Sequence, residues 1–199
     1  MAKSLKNGNV TVSLGNLKVS EKVLLFNLPA IKTCPNCVAC ATGCYARVAE
    51  IQYKVVRESR ERNWDASKQP CFVARMVELI ERSGVKLVRV HESGDFYSQS
   101  YADKWSEIAR RLPNVTFFAY TKSPFRPSSP NFNIVESVLP NGAINFGPKG
   151  EILALAKKFK AKVCPCGLSK VKVVCGENCT ACLRAKYVVF VEHGKKRKK

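Results

Sequence analysis

Apolar and polar positions change period several times along the chain. Residues 1–20 are mostly polar, with a weak alternation at Val10, Val12 and Leu14 that predicts a small hairpin or edge strand. Lys22 to Leu28 (KVLLFNL) is an apolar run stopped by Pro29, the pattern of a buried strand. From Tyr45 to about Asn63 the period turns helical: Val48, Ile51 and Val55 share a face, and Glu58 and Arg62 stand at i, i+4. A second helix is predicted over Cys71 to Arg82, with Phe72, Met76, Leu79 and Ile80 inward and Gly84 at the expected C-cap. Cys71, which opens that pattern, is expected in the core. Val85 to His91 (VKLVRVH) predicts a strand, followed by HESGDFYS. The next helix carries Tyr101, Trp105, Ile108 and Leu112 inward, with Ser100 and Asp103 as its capping pair.

Val115 to Tyr120 (VTFFAY) predicts another strand, and strand–helix–strand in this order implies parallel pairing with a right-handed crossover. Ser123 to Asn133, with three prolines and three serines, reads as a loop. A short helix is expected around Ile134 to Leu139, a strand at Ala143 to Phe146, a helix over Glu151 to Phe159, and strands at Ala161 to Cys164 and Tyr187 to Val191. The repeated β–α order with loops after the strands defines the α/β class. In such sheets, sites form beyond the carboxyl ends of the strands. A cysteine-rich loop after the first buried strand and HESGDFYS after VKLVRV both fall there, which predicts one shared site.

Composition narrows the class. The 199 residues are 46% hydrophobic and 25% charged, ordinary globular values. No apolar run approaches the ~20 residues of a membrane span, and MAKSLKNGNV has no signal-like apolar region, so a cytoplasmic protein is expected. In a reducing compartment, ten cysteines point to metal ligands rather than disulfides. Cys34, Cys37, Cys40 and Cys44 have gaps of two, two and three, the run seen in bacterial iron–sulfur ferredoxins. A loop this tight can turn several thiolates to one centre, and both iron–sulfur clusters and zinc select soft thiolates. The second group is Cys164, Cys166, Cys175, Cys179 and Cys182. Cys164, Cys175, Cys179 and Cys182 are the expected ligands, with Cys166 spare or alternative, and a structural zinc site rivals a second cluster there.

These motifs resemble those of radical S-adenosylmethionine enzymes: a strand, a cysteine loop ending Cys44-Tyr45-Ala46 and a helix, then VKLVRV, HESGDF, a helix and VTFFAYTKS. The pattern is similar in particular to a family of short phage-encoded, radical-SAM-like proteins. Thr33-Cys34-Pro35, Ser93-Gly94-Asp95-Phe96, Cys164-Pro165, Cys179-x2-Cys182 and Phe190 to His193 fit it. The resemblance implies a partial β/α barrel over residues 1–162 and a cysteine-rich cluster-binding segment over 163–193, while the charge run KKRKK is expected to leave 194–199 a disordered basic tail. It also implies a 4Fe–4S cluster, or two, and S-adenosylmethionine contacted from Glu92, Ser93, Gly94, Asp95 and Lys122. The enzymes' three-then-two cysteine spacing instead stands at Cys175, Cys179 and Cys182. If all four early thiols bind one cluster, no iron is open for the cofactor; if Cys37 stands aside, Cys34, Cys40 and Cys44 leave one open.

Other residues carry weaker expectations. Asp95 is either ligand-facing or a helix cap, His91 a strand-end structural histidine or a functional one, and Lys122 an anion contact at the same rim. Arg89 alternates with apolar neighbours and needs a partner if it points inward. His193 is expected to be structural or solvated. The net charge is +19, and residues 151–199 hold thirteen basic and three acidic side chains, a surplus that favours phosphate backbones. Three functions compete: a radical-SAM-like iron–sulfur enzyme, a non-enzymatic metal-stabilised nucleic-acid binder, and an electron carrier.

Overall fold

The computed structural model describes residues 3–16, 18–37, 40–166, 168–169 and 172–191. Its main element is a six-stranded sheet in the order β1-β2-β3-β4-β5-β6. The first two strands, β1 (Lys3–Asn7) and β2 (Val10–Leu14), form an antiparallel hairpin. β2 then pairs antiparallel with β3 (Val23–Phe26). From there β4 (Leu87–Val90), β5 (Thr116–Thr121) and β6 (Phe132–Glu136) follow in parallel and in chain order. Helices α1 (Tyr45–Gln52), α2 (Lys54–Lys68) and α3 (Phe72–Ser83) bridge β3 to β4, and α4 (Gln99–Arg111) bridges β4 to β5. The chain is thus a mixed α/β protein.

Period-2 alternation sends the strands' apolar residues to both faces. Leu24, Phe26, Val88, Val90, Phe117 and Ala119 pack under α2, α3 and α4 in the main core. There Phe26 meets Trp105 edge-on at 5.3 Å and Phe72 at 5.5 Å, an arrangement aromatic quadrupoles favour. Val23, Leu25 and Phe118 face the other way, against Val19, Leu183 and the second cysteine group. A small parallel sheet, β7 (Phe146–Gly147), β9 (Val188–Val191) and β8 (Lys162–Val163), carries α5 (Lys149–Phe159). It draws strands from both sides of residue 163 and touches the large sheet through a Glu136–Tyr187 bridge.

Several expectations shift. The predicted helix at Ile134 to Leu139 is instead β6 and its exit, because pairing with β5 offers this β-branched stretch a ladder from Phe132 to Glu136. The helix after the first cysteine loop breaks at Tyr53, whose extended backbone (φ −125°, ψ 101°) ends α1 and opens α2. The shared face of Val48, Ile51 and Val55 looks outward, at 60%, 72% and 68% exposure. Cys71 is exposed at the N-cap of α3 rather than in the core. The cap of α4 is Ser98, whose hydroxyl accepts from the Tyr101 amide, not the Ser100–Asp103 pair. Gly84, as expected, ends α3 in the left-handed region. Among the described residues no helix is long and apolar enough to cross a membrane. His193 and the tail from 194 lie outside the described residues.

Candidate functional site

The turn after β4 is stitched to the segment that follows β3. Asn27 Oδ1 accepts from the Glu92 amide at 2.7 Å and the Ser93 amide at 3.1 Å. The Leu28 amide donates to the Ser93 carbonyl, and the Asp95 amide to the Thr33 carbonyl at 3.2 Å. Gly94 has φ +80°, and a Cβ there would lie 2.6 Å from both Leu28 Cβ and Thr33 Oγ1. Only glycine lets the turn approach the base of the cysteine loop this closely.

Asp95 occupies the centre of this knot. Its Oδ1 accepts from the Phe96 amide at 2.8 Å and Thr121 Oγ1 at 2.5 Å, its Oδ2 from the Lys122 and Ser123 amides at 3.0 and 3.2 Å. Burial pushes the carboxyl up, while the Thr121, Lys122 and Phe96 hydrogen bonds pull it back. A carboxylate offers about four lone-pair sites, and four donors from its own chain fill them. Asp95 therefore ties β4 to the end of β5 and caps no helix. Glu92 keeps spare capacity: its Oε1 accepts from Asn16 and Arg89, while Oε2 has no hydrogen bond among the described residues. Ser93 Oγ is buried without a partner among the described residues. Lys122 takes part through its main chain, its carbonyl accepting from Asn36 Nδ2 of the cysteine loop at 2.8 Å.

His91, at φ +67°, is buried and donates or accepts through Nε2 at Tyr101 Oη, 2.9 Å away. Burial pushes its pKa down to about 3, so the ring is neutral, and its place among Phe96 and Tyr101 is structural. Arg89 finds its partner in Glu92, at 3.3 Å, with its guanidinium 5.1 Å from the Tyr120 ring centre. Burial works against that charge, but Glu92, Tyr45, Tyr120 and Cys175 together hold the guanidinium above its ordinary value.

The first cysteine loop crosses this rim. Cys34, Cys37, Cys40 and Cys44 are half-buried thiols, with Cys44 at the N-cap of α1 and residues 38 and 39 outside the described residues. Burial pushes the Cys34 thiol up to about 12, helped by Asp95 and by Cys40 and Cys44; the Ile31 backbone contact opposes. Those four groups therefore share one electrostatic neighbourhood.

The second group lies on the opposite face of β3–β5. Cys164, Cys175, Cys179 and Cys182 line one pocket with Arg89, Phe118 and Tyr120. Cys166 does not line it. Tyr120 Oη donates to Cys182 Sγ at 2.6 Å, and Asn133 Nδ2 holds the Cys182 carbonyl at 2.7 Å. Cys175 is pinned to the chain before β3 by main-chain bonds to Lys18 and Ser20. Burial raises the Cys164 thiol to about 12. All ten cysteines are unbridged. Among the described residues no group of three or more His, Cys, Asp or Glu side chains is in a position to hold a metal ion. The donor sets suit a thiophilic metal in number and kind, and binding one requires each set to close further.

Sequence reasoning did not single out Asn27, Thr121 or Asn133, and it quoted Thr33 only as part of the Thr33-Cys34-Pro35 motif. Asn27 had a signal: it is the one polar residue inside KVLLFNL after Lys22. Thr121 and Asn133 had none.

Fold and site define an α/β protein with a thiol-rich loop across the carboxyl ends of its parallel strands and a second thiol set beneath the sheet. Residues 2–146 match the family model described as Gene product 88, and the chain belongs to that family. The Gene 88 protein of Mycobacterium phage L5 is 33% identical over 131 residues, covering 59% of this chain and 52% of that protein. The Gene 88 protein of Mycobacterium phage D29 is 30% identical over 131 residues, covering 59% and 51%. The chain spans about half the length of the curated relatives it matches. No solved structure matches it.

Proposed function

We propose that the chain is an iron–sulfur protein, with a 4Fe–4S cluster held by the first cysteine loop on a radical-SAM-like, partial-barrel scaffold. The observation that carries this reading is that the four-cysteine loop is fastened across the ends of the parallel strands, by the Asp95 amide on the Thr33 carbonyl and Asn36 Nδ2 on the Lys122 carbonyl. A cluster there supplies one-electron transfer. The chain's own part is to anchor the loop: Asn36 on the Lys122 carbonyl, Cys34 beside the Gly94–Asp95 turn, Cys44 at the head of α1. In the three-thiol reading Cys34, Cys40 and Cys44 hold the cluster, Cys37 stands aside and one iron is open. The four filled lone pairs of Asp95 mean that a cofactor ammonium group would meet Glu92 rather than Asp95.

A second centre, zinc or cluster, is proposed for Cys164, Cys175, Cys179 and Cys182. The apolar walls of their pocket, Leu87, Phe118 and Leu183, favour a structural zinc that fastens the segment to the sheet.

The test is iron, sulfide and zinc content of anaerobically reconstituted protein. Iron and sulfide in equal amounts, lost in Cys34→Ser and Cys40→Ser but kept in Cys37→Ser, is the expected result. Zinc without sulfide at both sets overturns the cluster. Adding S-adenosylmethionine and reductant to the loaded protein should release 5′-deoxyadenosine; an intact cluster that cleaves none marks an electron carrier.

A further inference from the structure

The small sheet gathers cations at one rim. Its helix α5 buries Ile152 and Ala156 against Leu139, Val189 and Val191. The chain leaves α5 through Lys160, in the left-handed region at φ 50°, and enters β8 at Lys162, opposite Val188 of β9. The carboxyl end of α5 and the starts of β8 and β9 therefore share one edge. Lys157, Lys158, Lys160, Lys162, Arg184 and Lys186 stand there, all exposed.

None of the six makes an ion pair among the described residues, whereas all eight ion pairs join residues between 32 and 136. Glu136 lies beside the rim, its amide bonded to the Lys186 carbonyl. Its side chain is taken by Arg126, at 2.8 and 3.4 Å. Glu151 is at the other end of α5, and Glu177 is in the Cys175–Cys179 turn beside β3. Attraction to the helix dipole accounts for Lys157 and Lys158 only, in the last turn. Two half-buried rings are interleaved with the charges: Phe159 under Lys158 at 5.4 Å and Tyr187 under Lys186 at 5.3 Å.

We propose that this rim binds the phosphodiester backbone of a nucleic acid. Exposed cations without an ion-pair partner exchange counterions for phosphates, and the two rings, packed on the small core, hold Lys158 and Lys186 at this edge. A membrane surface fits less well, because the apolar face of α5 is packed on β9 and is not free to enter a lipid interface. The inference does not rest on the cluster: apo and metal-loaded chains should bind alike.

The test is fluorescence anisotropy of labelled 20-nucleotide single-stranded DNA, single-stranded RNA and duplex DNA against the full chain at 50 mM to 300 mM salt. The expected result is binding that weakens with salt and drops about tenfold or more in Lys160→Glu/Lys162→Glu/Lys186→Glu, with a shallower salt slope. The same charge change on the hairpin side, Lys3→Glu/Lys6→Glu/Lys22→Glu, should weaken binding no more than about threefold. Equal loss in the two triple variants, which far-UV circular dichroism must show folded, overturns the rim. So does loss of all binding when residues 195–199 (KKRKK) are changed to Gln, or tighter binding to phosphatidylserine vesicles than to any oligonucleotide. The oligonucleotide bound most tightly identifies the nucleic acid.

Discussion

The two faces of the six-stranded sheet are built by different means. On the helix side, Phe26, Phe72, Tyr101, Trp105 and Phe117 interlock edge to face at 0% to 1% exposure. On the other side the cover is the segment between β8 and β9, whose regular structure among the described residues is one 3-10 turn, Ala181–Leu183. It presses thiols, an arginine and a tyrosine onto the strands where a second apolar layer would stand. Apolar area removed from water scales with stabilisation, so the helix face carries the fold. The thiol face retains polar groups that hydrophobic packing alone would have excluded, and it depends on single contacts.

The largest expected effect tests this division directly. Trp105→Ala should cost about 3–5 kcal/mol in urea unfolding, the range for emptying an aromatic core site. Leu183→Ala, half-buried on the thiol face, should cost less than about 2 kcal/mol. Equal losses would break the contrast. Next comes the joint between the faces: Gly94→Ala puts a methyl 2.6 Å from Leu28 and Thr33 at φ +80°. A loss of about 3 kcal/mol is expected from strain and displacement together. Gly176→Ala, whose Cβ would meet Val23 Cγ2 at 2.3 Å at φ +81°, should instead loosen the thiol segment alone. Limited proteolysis would then cut near residue 176 while the helix core still melts cooperatively.

His91 sharpens the comparison from the helix side. Its folded pKa is depressed to about 3, below the ordinary 6.5. The unfolded chain therefore binds the extra proton first, and stability is lost as pH falls from 6.5 toward 3. The slope should reach about 1.4 kcal/mol per pH unit, or about 2 kcal/mol lost at pH 5. His91→Asn, which suits a positive φ, should flatten the pH dependence measured by thermal melts at pH 7 and pH 5. A dependence that survives the substitution places the titrating group elsewhere.

What the sequence displayed follows from range. α3 and α4 were legible because their inward residues repeat at 3 and 4 positions and their faces are buried by local helix–sheet packing. β6 was not, since Phe132–Glu136 is short and becomes a strand only through its neighbour β5. The face of Val48, Ile51 and Val55 was visible, but a period cannot say what a face meets. At the site, the order of motifs located the rim. The use of Asp95 was hidden, because Thr121, Lys122 and Ser123 lie 26 to 28 residues away. The same distance hid the bond from Tyr120 to Cys182, 62 residues on.

That bond yields the smallest expected change in stability and the most local one in chemistry. Sulfur is a weak acceptor, so Tyr120→Phe should lower stability by no more than about 1 kcal/mol. The hydroxyl favours the thiolate of Cys182 by donating to it, against the burial that raises this thiol. Losing the donor raises the thiol further and leaves less thiolate at any given pH. Iodoacetamide labelling of Cys182 in the metal-free protein, followed by peptide mass spectrometry at pH 8, should therefore slow about threefold or more in the variant. Labelling of Cys37 in the first loop should not change, because the Tyr120 hydroxyl bonds to Cys182 and not to that thiol. Faster labelling at Cys182 would mean that the ring acts chiefly as a lid over the sulfur, and the thiol face would then be held by packing like its counterpart.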